Sequence, residues 1–266
     1  MTAMTAMTPS RLLARTDRTQ PEASRYSLLV ARDGADVRAA QRLRYRVFAE
    51  EMGARLHTSE PGLDIDYFDD YCDHLVVRKD DTGEVVGTYR MLPPSRATEA
   101  GNLYADLEFD ISALDALRPS LVETGRSCVH PDHRGGAVIG LVWAGIARYM
   151  MLTGHRYLIG CASVPLDDGG ALASAVWDTV RTRHYAPEDC RVTPLRPWDG
   201  VDSPFENTGL PRPAVPPLLR GYLRLGAKVC GPPALDVDFG VADFPVLLDI
   251  QQVDARYLRF FLGETS

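Results

Sequence analysis

The sequence predicts an α/β protein with a mixed central sheet flanked by helices. Three observations lead there. Short apolar runs of strand length alternate along the chain with segments of helical periodicity. An early pair of strands, Leu75–Val77 and Glu84–Met91, is joined by the turn sequence Asp80-Asp81-Thr82-Gly83, so part of the sheet is antiparallel. The segment 137–153 is apolar nearly all round, which requires cover on both faces.

Taken in order, residues 1–24 are rich in Thr, Arg, Ala and Pro without periodicity and are expected to be a disordered tail, leaving 25–266 as a single domain. Tyr26–Ala31 reads as the first strand, followed by a helix from Asp36 to Met52 that Gly53 ends. After the hairpin and the Pro93-Pro94 break, residues 95–119 read as irregular with short helical pieces, and Leu121–Val129 as a strand. The helix 137–153 stops at Gly154; a strand at Tyr157–Cys161 and a helix at Gly170–His184 follow. Residues 186–216 are dense in proline and read as a long ordered loop. Helix Leu218–Leu225, strands Leu235–Phe239 and Val246–Ile250, and helix Asp254–Phe261 complete the chain.

Composition excludes several classes. The 266 residues, 45% hydrophobic and 24% charged, suffice for a substantial core, and a formal charge of −7 does not suit a nucleic-acid partner. Five widely spaced cysteines with no C-x-x-C pair read as buried apolar residues in a reducing compartment. The first residues carry neither the basic lead nor the apolar core of a signal peptide. The longest apolar stretch, Ala137–Ala147, is short of the roughly 20 residues that span a bilayer. A cytoplasmic protein is the expectation.

Several charged residues stand in apolar surroundings. On a helical wheel Arg44 shares an arc with Val37, Ala40, Leu43, Val47 and Phe48, and a buried guanidinium must find a carboxylate or an anionic ligand, unless it snorkels to the edge of the core. The acidic run 64–74 interleaves aromatics with Asp66 and Asp69, which suggests a folded wall rather than a solvated loop, and its spacing does not fit a calcium loop. In Leu121–Val129, Glu123 and Arg126 are three apart, which would aim them at opposite faces unless a bulge at Gly125 changes the parity. His133-Arg134-Gly135-Gly136 opens the apolar helix, where backbone N–H groups beside an arginine suit a phosphate. His130 and His133 lack a third partner for zinc, and neither a Walker loop nor a G-x-S-x-G elbow occurs.

The ordered set Arg44-Tyr45-Arg46-Val47-Phe48, Asp66-Tyr67-Phe68-Asp69, Arg90 and Glu123-Thr124-Gly125-Arg126 resembles the acyl-homoserine-lactone synthases. Asp73–Val77, Glu123–Val129 and Gly221–Gly231 extend the resemblance to their GNAT-superfamily relatives, the ornithine N-acyltransferases that make lyso-ornithine lipids and the N-acyl amino acid synthases. The likeness covers residues 25–262. It departs from the lactone synthases at Arg55, near where they carry a tryptophan, and from common GNAT acetyltransferases at Arg134-Gly135-Gly136-Ala137-Val138-Ile139, in place of R-x-x-G-x-G/A.

The resemblance implies a GNAT-like (acyl-CoA N-acyltransferase) fold. It also implies transfer of a long-chain fatty acyl group, 3-hydroxy chains included, to the amine of an amino acid, foremost ornithine. No tightly bound cofactor or metal is expected; the donor is acyl carrier protein through its phosphopantetheine thioester, or acyl-CoA. By analogy Glu123 is the base, its pKa raised by burial, and backbone N–H groups around Cys128 and Val129 stabilise the oxyanion. Arg44, Phe48, Asp66, Asp69, Arg90 and Arg126 form the acceptor side, and His133, Arg134, Gly135 and Gly136 the donor phosphate site. An acidic carrier implies a basic surface, for which Arg134, Arg148, Arg156, Arg181 and Arg183 are candidates. An amphiphilic product implies transient contact with the inner membrane face. The alternatives are a CoA-dependent acetyltransferase of the same fold, a lactone-forming synthase, and a lipid- or carrier-binding module without turnover.

Overall fold

A computed structural model describes residues 10–16, 25–202 and 215–262. The expectations for the remaining N-terminal residues and for the middle of the proline-rich segment lie outside the described residues. The folded chain groups into two compact units, passing from the first to the second after Met91, back after Thr124, and again after Gly154 and Tyr257. The units interleave along the chain, so neither is a contiguous stretch.

In the first unit, β2 (Tyr26–Ala31) pairs antiparallel with β3 (Asp73–Lys79), and β3 with β4 (Val85–Leu92), Gly83 supplying the left-handed turn residue between them. The second half of β6 (Leu121–Val129) continues this order beyond β4. A strand that the sequence reading placed in a disordered tail, β1 (Arg11–Arg15), pairs antiparallel with β2 on the opposite edge. Its register shifts between Leu12 and Ala14, so Leu13 and Ala14 are both buried and the period of two is lost from the sequence.

Helix α1 (Gly34–Tyr45) starts at Asp33, whose side chain accepts from Asp36 N at 2.7 Å. Beyond Tyr45 the expected regular helix widens into a π-helical segment, Arg46–Glu51, which keeps the adjacent Val47 and Phe48 both buried. Helix α4 (Gly136–Thr153) ends at left-handed Gly154 and packs on β1, β2 and β3. It is long and apolar enough to cross a membrane by length and composition, but its Val138, Leu141, Val142, Ile146 and Met150 are buried in the protein. A Cβ on Gly145 would stand 2.4 Å from Leu28 Cδ2, so glycine there permits the close approach of helix to sheet.

The second unit begins with short helices α2 (Pro94–Ala100) and α3 (Ala105–Glu108) and a 3-10 segment, Ser112–Ser120. The first half of β6 runs parallel to β7 (Tyr157–Pro165), with Glu123 opposite Ile159. Antiparallel to β7 lies β11 (Val241–Asp249), flanked in turn by β10 (Ala234–Asp236) and β9 (Lys228–Val229). β11 starts five residues before the expected Val246, because buried Asp243 and Pro245 interrupt its apolar pattern. Conversely, β10 stops at Asp236, whose Oδ1 accepts from Asp238 N and Phe239 N and folds the expected strand into a turn. β5 (Phe109–Asp110) and β8 (Thr193–Pro194) form a separate small pair within the expected irregular stretches. Helices α5 (Ala171–Arg183), α6 (Pro217–Arg224) and α7 (Ala255–Leu262) fall where periodicity places them.

Candidate functional site

Arg44 has no exposed surface. Its Nη1 and Nη2 donate to the two oxygens of Asp69 at 2.9 and 2.6 Å, its Nε stands 2.8 Å from Asp64 Oδ2, and Nη2 also donates to the Asp64 carbonyl. The carboxylate alternative for this arginine is thus the one realised. Arg90, on β4, donates through Nη1 to Asp66 Oδ1 and to Asp69 Oδ1, the latter at 2.9 Å. Arg126 joins Asp64 Oδ2 at 3.3 Å and Asp66 Oδ2 at 3.2 Å. Three guanidinium groups and three carboxylates therefore interlock within the first unit, and their charges sum to zero.

The spacing of Asp66 and Asp69 has a local cause. Asp66 caps the 3-10 turn Tyr67–Asp70, accepting from Phe68 N at 2.9 Å, while the Asp69 carboxylate accepts in return from Asp66 N. Gln41 Nε2 donates to Asp69 Oδ2 at 3.0 Å, and His74 Nε2 bonds the Asp69 carbonyl oxygen at 3.0 Å. Gln41, His74 and Asp64 were not singled out in the sequence. The signal for Gln41 is its place three residues before Arg44 on the inward face of α1.

Burial pushes the Asp69 carboxyl upward, but the Arg44 hydrogen bond and the charges of Arg44 and Arg90 outweigh it and hold the group far below the ordinary carboxylate range. Asp66 is lowered in the same way: burial opposes the shift, and the charges of Arg90 and Arg126 prevail. Burial lowers His74 against the opposing pull of Asp69, so His74 is neutral at neutral pH.

The distortion expected at Gly125 lies one residue further on. Gly125 has an ordinary backbone, whereas Arg126 is the non-glycine residue with positive φ, 50°, among the described residues. That conformation costs about 1–2 kcal/mol for an L-residue, and the bonds to Asp64 and Asp66 fix it.

Glu123 belongs to the second unit and is 6% exposed. Its Oε2 accepts from Tyr104 N and its Oε1 from Ala105 N, both at 2.7 Å. Each carboxylate oxygen of this buried side chain thus accepts from one backbone N–H. The Cys128 thiol is buried, and burial pushes its pKa up to about 12, so it is protonated and no nucleophile. Val129 accepts from Arg134 Nε at 3.3 Å through its carbonyl.

At the start of α4, Gly135 is the N-cap in extended conformation and Gly136 begins the helix. His133 Nδ1 lies 3.0 Å from the Tyr26 hydroxyl, and Arg134 forks onto Glu51 with both contacts at 2.7 Å. Of the arginines expected to form a basic surface, Arg134, Arg156 and Arg181 are paired with Glu51, Asp249 and Asp178, and Arg148 donates to the Leu13 carbonyl. No cluster of His, Cys, Asp and Glu with metal-binding geometry occurs among the described residues.

Residues 43–144 match the family model described as the acetyltransferase (GNAT) domain, and this stretch contains the interlocked charges, Glu123 and the start of α4. The chain is a GNAT-type N-acyltransferase. More specifically, it belongs to the L-ornithine N(alpha)-acyltransferase family. It is 37% identical to the protein of that name from Rhodobacter capsulatus over 246 residues, covering 89% of this chain and 94% of the relative. It is 35% identical to the Brucella abortus protein of the same name, covering 89% of each. Among solved structures, the acyl-homoserine-lactone synthase LasI shares the fold with a TM-score of 0.51 at 12% identity, covering 90% of this chain and 95% of that one.

Proposed function

We propose that this protein transfers a long-chain fatty acyl group, 3-hydroxy chains included, from the phosphopantetheine thioester of acyl carrier protein to the α-amine of L-ornithine. The observation that carries the acceptor is the identity of 34–37% over nearly nine-tenths of the chain to relatives named for that amino acid. In the reaction the amine nitrogen attacks the thioester carbonyl, the C–N bond forms and the C–S bond breaks. The ammonium gives up one proton before attack and one after it; the second ends on the departing sulfur.

Glu123 takes the first proton. Its N–H donors occupy two of about four acceptor positions of a carboxylate, and they favour the ionised form that a base requires. The N–H groups of Cys128 and Val129 donate to the oxyanion, at about 3 kcal/mol per donor. Arg126, which keeps some exposure, meets the acceptor carboxylate, while Arg44, Arg90, Asp66 and Asp69 with Phe48 hold that side rigid. At His133–Gly136 the first N–H groups of α4 receive the donor phosphate. The fork of Arg134 onto Glu51 commits its charge internally, which suits one phosphodiester better than a pyrophosphate and favours the carrier protein over acyl-CoA. The reaction belongs in the cytoplasm, with contact at the inner membrane face when the product leaves.

The deciding experiment is the intact mass of the product formed from long-chain acyl carrier protein and a mixture of amino acids. N-acyl ornithine, absent with Glu123→Gln, is the expected result. Turnover with acetyl-CoA and none with the carrier would replace this reading by that of a CoA-dependent acetyltransferase.

A further inference from the structure

The turn that holds Glu123 is itself held by a second set of charges. Leu103 N donates to Asp106 Oδ2 at 2.8 Å, closing the residues just before and after Tyr104 and Ala105 into one hydrogen-bonded turn. Arg118, at the end of the 3-10 segment, forks onto both oxygens of Asp106 at 3.0 and 2.6 Å. Its Nε also donates to Asp115 at 2.7 Å, which anchors the guanidinium on its own segment. The order is therefore Asp115 to Arg118 to Asp106 to the turn 103–106 to the carboxylate of Glu123, every step a hydrogen bond within the second unit.

We infer that Arg118 and Asp106 are positioning residues for the acyl transfer: they aim the Tyr104 and Ala105 N–H groups at Glu123 and so keep its carboxylate ionised and oriented. This rests on the reading of Glu123 as the base. The need for such support is local. Tyr104, which supplies one of the two N–H donors, is also tied through its hydroxyl to a second carboxylate, Glu108, at 3.2 Å, so the turn must hold its backbone on Glu123 while its side chain is engaged elsewhere.

The experiment is the pH profile of kcat/KM for the full chain with acyl carrier protein and ornithine, comparing wild type, Asp106→Asn, Arg118→Gln and Arg118→Lys. Loosening the N–H pair makes the carboxylate harder to ionise, so the acid limb should move to higher pH by about one unit in Asp106→Asn and Arg118→Gln. Arg118→Lys keeps the charge without the fork and should fall between them and wild type. Thermal melting checks that each variant is folded. A folded variant whose rate drops uniformly, with the acid limb unmoved, overturns the proposal and leaves Asp106 and Arg118 merely structural. Near-native turnover by Glu123→Gln would refute the base reading instead, and so separates the two failures.

Discussion

Replacing Arg44 by methionine tests whether the interlocked charges act as one neutral unit. Methionine is unbranched and apolar, so it keeps the aliphatic stem in place while removing the charge and the guanidinium end. In the wild type, three guanidinium groups face three carboxylates. After substitution Asp69 keeps Arg90 at 2.9 Å and Asp64 keeps Arg126 at 3.3 Å, so one carboxylate in three loses its compensation. Breaking a buried pair costs about 3–5 kcal/mol; the surviving partners place this variant near the lower end, about 3 kcal/mol at pH 7. The sign of its pH dependence follows. In the wild type Asp69 is depressed, so its contribution is complete above the unfolded value of about 4 and is lost only as pH falls further. Without Arg44, burial dominates and raises the carboxyl, so the variant should recover stability relative to wild type as pH falls from 7 towards 5. Urea denaturation followed by far-UV circular dichroism at pH 7, 6 and 5 measures this. A loss below about 1 kcal/mol, or one of equal size at all three pH values, would refute the idea of a charge-balanced unit.

His74 gives a second pH signature: its folded-state pKa is depressed, chiefly by burial, so stability should decline as pH falls below about 6.5, by at most about 1.4 kcal/mol per pH unit, and His74→Gln should remove that component of the slope in the same denaturation series. Cys128→Ala should retain most of the wild-type turnover, because a thiol with pKa pushed up to about 12 supplies no nucleophile; loss of more than tenfold with the fold intact would implicate the sulfur. Gly160→Ala should destabilise by about 1–3 kcal/mol in thermal melting, since the new Cβ would stand 2.7 Å from the Thr124 carbonyl oxygen, a backbone atom that cannot rotate away. With the proposed carrier-protein donor, raising ionic strength should raise KM for the carrier more than KM for the amino acid; equal responses would argue against electrostatic docking of that donor.

Legibility in the sequence depended on whether a residue's role was local. Hairpin, capping and glycine-terminated helix signals are encoded within a few residues, and β2, β3, β4, β6, α4, α5 and α6 stand within a few residues of where those signals put them. Arg44 could be singled out because an arginine on an apolar arc is an energetic anomaly. Its partner Asp64 could not be distinguished from the other acids between 64 and 74, since which of them turns inward is decided by the 3-10 turn capped by Asp66. β1 was illegible because a register shift buries two consecutive residues, and β11 because Asp243 and Pro245 are polar or non-donating positions in a central strand. Asp106 and Arg118 carried no signal at all: they are twelve residues apart in a stretch without periodicity, and only the folded turn brings them together.

The two kinds of carboxylate in this protein differ in what they can do. Asp66 and Asp69 are bonded to guanidinium groups that hold both below the ordinary carboxylate range, and a carboxylate so neutralised gains little by accepting a proton. Glu123 instead takes two neutral backbone donors. The base proposed here is Glu123 rather than Asp66 or Asp69, although all three stand in the same ordered set of sequence motifs. A charge-conserving exchange such as Asp69→Glu should accordingly cost stability before it costs the chemical step, whereas Glu123→Asp should lower both the melting temperature and kcat, because the shorter side chain cannot keep both N–H bonds and reach the amine.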